Sequence, residues 1–96
     1  MRIKVRFYAI LREIAKRKEI EVELPGNDHT IHDILNLIRE KVSADLFKKI
    51  MDFWNTKKGP KLIILLNGRN IVYIDGLKTK VKDNDIIDIF PPGGGG

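Results

Sequence analysis

The segment Thr30-Ile31-His32-Asp33-Ile34-Leu35-Asn36-Leu37-Ile38-Arg39-Glu40-Lys41-Val42 has one periodicity, and it is helical. Ile31, Ile34, Leu35, Ile38 and Val42 recur at spacings of three and four, a single apolar stripe, while Asp33, Asn36, Arg39 and Glu40 turn outward. Thr30 with Asp33 three residues later is a capping pattern, in which hydroxyl and carboxylate each satisfy a backbone N–H that has no partner inside the helix. Upstream, Pro25-Gly26 closes an extended segment where Ile20, Val22 and Leu24 share one parity and Glu19, Glu21 and Glu23 the other. Further upstream still, Arg2 to Tyr8 alternates in the same way, with Ile3, Val5 and Phe7 on one side and Arg2, Lys4, Arg6 and Tyr8 on the other. Paired antiparallel, these two half-buried strands set a basic row against an acidic row, which favours that register. The ten residues between them, Ala9 to Lys18, carry Leu11, Ile14 and Ala15 at helical spacing and read as a turn of helix or a compact loop.

Downstream of Ser43, a second helical segment carries Leu46, Phe47, Ile50, Phe53 and Trp54; its spacing predicts a short, less regular helix over an edge of the core. Gly59-Pro60 breaks it. Lys61 to Leu66 is then a near-continuous apolar run, the pattern of an interior strand. Asn67-Gly68 supplies the positive φ angles of a two-residue hairpin, with a returning strand expected over Asn70 to Ile74. Asp75-Gly76 makes another turn, Leu77 to Asn84 reads as a charged loop, and Asp85 to Phe90 is a last strand with Ile87 and Ile89 on one parity. Pro91-Pro92 has no N–H for a sheet ladder, so the chain is expected to leave the sheet there with the last four glycines hanging free.

The order strand, strand, helix, strand, strand, strand, with one sizeable crossover, predicts an α+β fold. Right-handed crossover places the helix on one face of a mixed sheet, the β-grasp arrangement of ubiquitin, and leaves the other face open. At 96 residues, one domain over 1–92 and a flexible glycine tail over 93–96 are expected. There is no cysteine, which excludes a disulfide framework, a thiolate metal site and a catalytic cysteine. The net charge of +5 suggests an acidic partner surface or weak nucleic-acid affinity, and establishes neither. No apolar run approaches the ~20 residues of a membrane-spanning helix, and cytoplasmic residence is expected.

Several short stretches together resemble the MoaD/ThiS family of ubiquitin-like sulfur carriers, and within it the small subunits of molybdopterin synthase. Val5-Arg6-Phe7-Tyr8-Ala9-Ile10-Leu11-Arg12-Glu13 is similar to that family's opening strand and its continuation. Thr30-Ile31 with Asp33-Ile34-Leu35 is similar to its helix start, and Asn67-Gly68 to its hairpin. Lys82-Asp83 and Asp85, leading through Phe90-Pro91-Pro92 to Gly95-Gly96, are similar to its terminal block. Two departures stand out: Gly93 and Gly94 replace a small apolar and a small polar residue, and the segment around Leu46 to Trp54 varies among members.

The resemblance implies a carrier without an active site of its own. A ubiquitin-activating-like enzyme uses ATP to adenylate the carboxylate of Gly96, and sulfur then replaces the adenylate to give a thiocarboxylate; the chain itself binds no cofactor and no metal. Gly93, Gly94 and Gly95 would be the side-chain-free strand that enters the partner. With the large subunit of molybdopterin synthase, the sulfur would pass to a pterin precursor. Parity places Tyr8 and Phe90, with Ile63 and Leu65 of the central strand, on the open sheet face, where they are candidates for partner docking. The other readings are a modifier conjugated to lysines, sulfur donation for thiamin or tRNA, and a plain β-grasp RNA-binding module. His29 and His32 read as polar residues of a helix start, and the lysine clusters as solvated faces, so neither a metal nor a nucleic acid is expected as a ligand.

Overall fold

A computed structural model describes residues 1–93; Gly94, Gly95 and Gly96, where the sequence predicts the end of a free tail, lie outside the described residues. In chain order the elements are β1 (Arg2–Phe7), α1 (Ile10–Ala15), β2 (Glu19–Glu23), β3 (His29–Thr30), α2 (Ile31–Lys41), α3 (Ala44–Trp54), β4 (Ile63–Leu66) and β5 (Arg69–Asn70). Two 3-10 turns follow (Ile71–Tyr73 and Gly76–Lys78), then β6 (Lys80–Val81) and β7 (Ile86–Phe90). Five strands form one sheet in the order β2-β1-β7-β4-β5, with β1 and β7 parallel and the other pairs antiparallel. This is the mixed β-grasp sheet that the order of elements predicts.

Register follows the alternation. Arg2, Lys4 and Arg6 lie opposite Glu23, Glu21 and Glu19, so that Ile3, Val5 and Phe7 share the other face with Ile20 and Val22. Ile3, Val5 and Phe7 are fully buried, as are Ile64, Ile87 and Ile89 of the neighbouring strands and Ile31, Ile34 and Ile38 of α2. An isolated helix of this length is marginal in water. What holds α2 is this stripe, at roughly 1.5–3 kcal/mol for each large aliphatic side chain removed from water. Its start is fixed by the capping box: the Asp33 N–H donates to Thr30 Oγ1 at 3.3 Å and the Thr30 N–H to Asp33 Oδ2 at 2.9 Å. At the hairpin, Asn67 and Gly68 adopt φ of 50° and 86°, and Leu66 pairs directly with Arg69.

Three elements differ from the sequence expectation. The segment after Ser43 is a regular helix of 11 residues, as long as α2, and it belongs to the core. Ser43 Oγ accepts from the Leu46 N–H at 3.1 Å to cap it, and Leu46 and Ile50 are fully buried against the rest. The strand expected over Asn70 to Ile74 ends at Asn70, whose side-chain oxygen accepts from the Val72 N–H at 3.1 Å and bends the chain into a 3-10 turn. Within the expected loop Leu77 to Asn84, Lys80–Val81 pairs antiparallel with His29–Thr30 as a separate two-stranded sheet at the start of α2. No helix among the described residues is long and apolar enough to cross a membrane.

Candidate functional site

The open face of the sheet is built from the residues that alternate with the core. β7 carries Phe90 to the point where Pro91, Pro92 and Gly93 leave the sheet, and its two neighbours decide what surrounds that exit. β1 runs parallel to β7 with Phe7 beside Ile89, so the next residue, Tyr8, falls next to Phe90. β4 runs antiparallel and begins there, with Ile63 opposite Phe90 and Leu65 opposite Asp88. Hence Tyr8, Phe90, Ile63 and Leu65, far apart in sequence, gather at one end of one face.

The two aromatic rings are stacked, with centroids 4.1 Å apart and planes 17° from parallel. Each covers part of the other, which leaves both half-buried rather than fully exposed; Leu65 is half-buried and Ile63 remains 44% exposed. Ile10, at the start of α1, adds a further exposed aliphatic side chain next in the chain to the strained residue after Tyr8. That residue, Ala9, has φ 53° and ψ −132°, a backbone conformation that a residue with a Cβ rarely adopts. It lets the chain reverse directly from Tyr8 into α1, whose first bonds run from the Leu11 N–H to the Tyr8 carbonyl at 3.2 Å and from the Arg12 N–H to the Ala9 carbonyl at 3.0 Å.

Beneath the stack sits a polar clamp that the sequence reading missed. Asp88 points to the open face yet is only 7% exposed. Arg6 donates to it through both Nε, 2.7 Å from Oδ1, and Nη2, 3.1 Å from Oδ2, and the Tyr8 hydroxyl donates to Oδ1 at 2.7 Å. Burial pushes the Asp88 carboxyl up, but the hydrogen bonds from Arg6 and Tyr8 outweigh it and hold the group below the usual carboxylate range. The Tyr8 phenol is raised for the matching reason, its hydrogen bond to Asp88 first and burial second. Arg12 completes the arrangement, with its guanidinium 5.4 Å from the Tyr8 ring centroid and its Nε donating to the Phe7 carbonyl at 3.0 Å. One signal was available: a lone carboxylate within Ile86-Ile87-Asp88-Ile89, an otherwise apolar strand, demands a partner.

The histidines do not converge. His29 Nε2 lies 2.6 Å from the Pro25 carbonyl, whereas His32 Nδ1 lies 3.3 Å from the Asn36 amide. A surface concavity formed by Met1, Arg2, Glu23, Leu24, Pro25, Asp83 and Asn84 lies at the opposite end of the sheet from the exit of the chain. The chemistry-bearing arrangement is therefore a shelf and not a pocket. It is apolar at its surface and clamped from below, and it adjoins the root of the glycine segment.

Comparison with known proteins gives the same architecture a family. A model of the ThiS family matches residues 5–96. Small archaeal modifier protein 3 of Haloferax volcanii is 31% identical over 96 residues, with 100% of both chains covered. Among solved structures, small archaeal modifier protein 1 from Methanosarcina acetivorans is 30% identical with a TM-score of 0.68, covering 99% of this chain and 96% of that one. A chain in the complex of subunits 1 and 2 of molybdopterin-converting factor from Helicobacter pylori is 26% identical with a TM-score of 0.61, covering 100% of both.

Proposed function

The chain belongs to the ThiS family of ubiquitin-like sulfur carriers and modifiers, and from that premise we propose that it carries sulfur as a thiocarboxylate on Gly96 for molybdopterin synthesis. The observation that supports this reading most directly is the position of the shelf. Tyr8, Phe90, Ile63 and Leu65 surround the point where the chain leaves the sheet toward its four glycines, so a protein docked on the shelf receives the chain end.

A carboxylate is a poor acyl donor until its oxygen becomes a good leaving group. In this reading a ubiquitin-activating-like enzyme supplies ATP, the Gly96 carboxylate displaces pyrophosphate to form the acyl adenylate, and a sulfur nucleophile then displaces AMP. The adenylate survives only where water is excluded, which means inside the partner. Gly93, Gly94 and Gly95 suit the passage because they have no Cβ to meet channel walls and adopt conformations closed to other residues. Ordering them costs about 1–2 kcal/mol per residue, so docking affinity must come from the folded domain. The large subunit of molybdopterin synthase is the proposed recipient; likeness to a chain of the Helicobacter pylori complex supports it. The chain binds no cofactor of its own in this scheme, and ATP belongs to the activating enzyme.

A second reading is favoured by the names of two relatives, both small archaeal modifier proteins: the same activated terminus forms an isopeptide bond with lysines. One experiment separates them. The chain is co-produced with its adenylating enzyme, ATP and a sulfur source, and its intact mass is measured. Carriage gives a gain equal to the exchange of one oxygen for sulfur, which deletion of Gly96 abolishes without lowering the melting temperature. No gain, together with the tryptic remnant Asp83–Gly96 isopeptide-linked to lysines of other proteins in the native cell, transfers the assignment to the modifier.

A further inference from the structure

The net charge of this chain has a location. Residues 8–19 and 55–62 hold seven of the eighteen basic side chains and two of the thirteen acidic ones, and so account for the whole +5; the remaining eleven of each sign cancel. These two segments are neighbours in space at one end of the sheet. The first leaves β1 at Phe7 and returns to β2 at Glu19, with the Phe7 N–H donating to the Lys18 carbonyl at 2.8 Å. The second leads from α3 into β4, whose first residue, Ile63, lies opposite Phe90. Both therefore flank the exit of Pro91-Pro92-Gly93.

Six of these cations, Lys16, Arg17, Lys18, Lys57, Lys58 and Lys61, are exposed, and none forms an ion pair among the described residues. Of the eleven other cations, five are paired. Arg2 pairs with Glu23 and Glu21, Lys4 with Glu19, Arg6 with Asp88, Lys48 with Asp52, and Lys80 with Asp28. A run of lysines is ordinarily a solvated face. Here the excess of positive charge lies around one exit, while over the rest of the chain the two signs are equal in number, and it rims an apolar shelf. An apolar centre with a charged rim is the anatomy of a protein interface, and a single-sign rim steers an oppositely charged partner into register.

We propose that the segments 8–19 and 55–62 form a basic collar that recruits a protein partner whose tail-receiving mouth is ringed by acidic side chains. The inference rests on the carrier reading and names the partner's chemistry within it. Steering of this kind acts on the rate of encounter more than on the lifetime of the complex.

The test is association of the full-length chain with its purified adenylating enzyme by stopped flow, at low and high sodium chloride. Two double charge reversals that change net charge equally are compared: Lys57→Glu with Lys58→Glu in the collar, and Arg69→Glu with Lys82→Glu at the far end of the sheet. The collar predicts that added salt slows association about tenfold or more. It also predicts that the collar variant slows it by a similar factor at low salt with dissociation nearly unchanged, while the far-end variant stays near wild type. Equal slowing by both variants, or rates indifferent to salt, overturns the collar; the carrier reading survives either result if the sulfur-for-oxygen mass gain is still made. Absence of both association and mass gain overturns the two together. A parallel titration with bulk tRNA completes the set: loss of tRNA binding in the collar variant with enzyme association unchanged assigns the collar to RNA and overturns the protein partner.

Discussion

The two ends of the open sheet face are made from the same strands and differ in how their side chains are satisfied. At the end formed by the start of β1 and the end of β2, charges answer one another: Arg2 Nη2 is 3.0 Å from Glu23, and Arg2 Nε is 4.0 Å from Glu21. At the other end the face becomes apolar, with Ile63 exposed beside the Tyr8–Phe90 stack, and the cations around it have no acidic partners among the described residues. The first end is closed on itself. The second has unsatisfied apolar surface and unsatisfied charge, and both are properties that another molecule satisfies. Arg6, Asp88 and Tyr8 lie at the junction and keep the aromatic shelf in place.

The comparison is broken most severely at Ile63. Ile63→Asp puts a charge at the centre of the shelf, where a docked protein would desolvate it. Sulfur loading by the adenylating enzyme is expected to fall about tenfold or more in kcat/KM, carried by KM, because a central interface residue has been lost and no chemistry has been touched. Since Ile63 is 44% exposed in the free domain, the melting temperature should move little. An unchanged KM would mean that the shelf is not where partners dock.

Asp88 tests the junction. Replacing it by Asn keeps the shape but removes the charge that Arg6 and Tyr8 bond, at an expected cost of about 1–3 kcal/mol at neutral pH. The pH dependence has a defined sign. The folded-state pKa of Asp88 is depressed, so its stabilisation is present above the unfolded carboxylate value of about 3.9 and is lost as pH falls through the lower folded value. Denaturant titrations of wild type and Asp88→Asn should therefore differ at pH 7 and converge in acid. The Tyr8 phenol, raised chiefly by its bond to Asp88, should titrate closer to an ordinary tyrosine in the variant by ultraviolet difference spectroscopy. A stability gap that persists unchanged into acid would separate the clamp from the ionisation of Asp88.

What the sequence discloses about this molecule divides along similar lines. Alternation in β1 and β2, the stripe in α2 and the Asn67-Gly68 turn are local signals, and each produces its element because core burial and local geometry favour the same conformation. The juxtaposition of Tyr8, Phe90 and Ile63 follows from parity once the strand order is known. The length of α3 and the end of β5 at Asn70 were less legible, because a Ser43 cap and an Asn70 side-chain bond decide them in competition with patterns that read otherwise. The Arg6–Asp88–Tyr8 clamp joins residues about eighty positions apart, and only the parallel pairing of β1 with β7 makes them neighbours. The collar has the same origin. Two unremarkable lysine runs become one feature through the places where their strands begin and end.

The smallest effect is expected at the closed end. Arg2 is more than half exposed, and so are Glu21 and Glu23, its partners at 4.0 and 3.0 Å. Water and salt screen such a pair, and ordering two long side chains offsets much of what attraction remains. Arg2→Gln should therefore leave the thermal midpoint and the rate of association with the adenylating enzyme within error of wild type, at low and at high salt. The substitution removes one positive charge against the four units that the collar variant changes, so the charge-matched comparison stays with the double reversal of Arg69 and Lys82. If Arg2→Gln slowed association as strongly as reversing Lys57 and Lys58, recognition would not be confined to the collar, and the two ends of the sheet would no longer have different roles. If it instead cost as much stability as Asp88→Asn, the exposed ladder would be holding the sheet together, and burial would not be what distinguishes the Asp88 clamp from its neighbours.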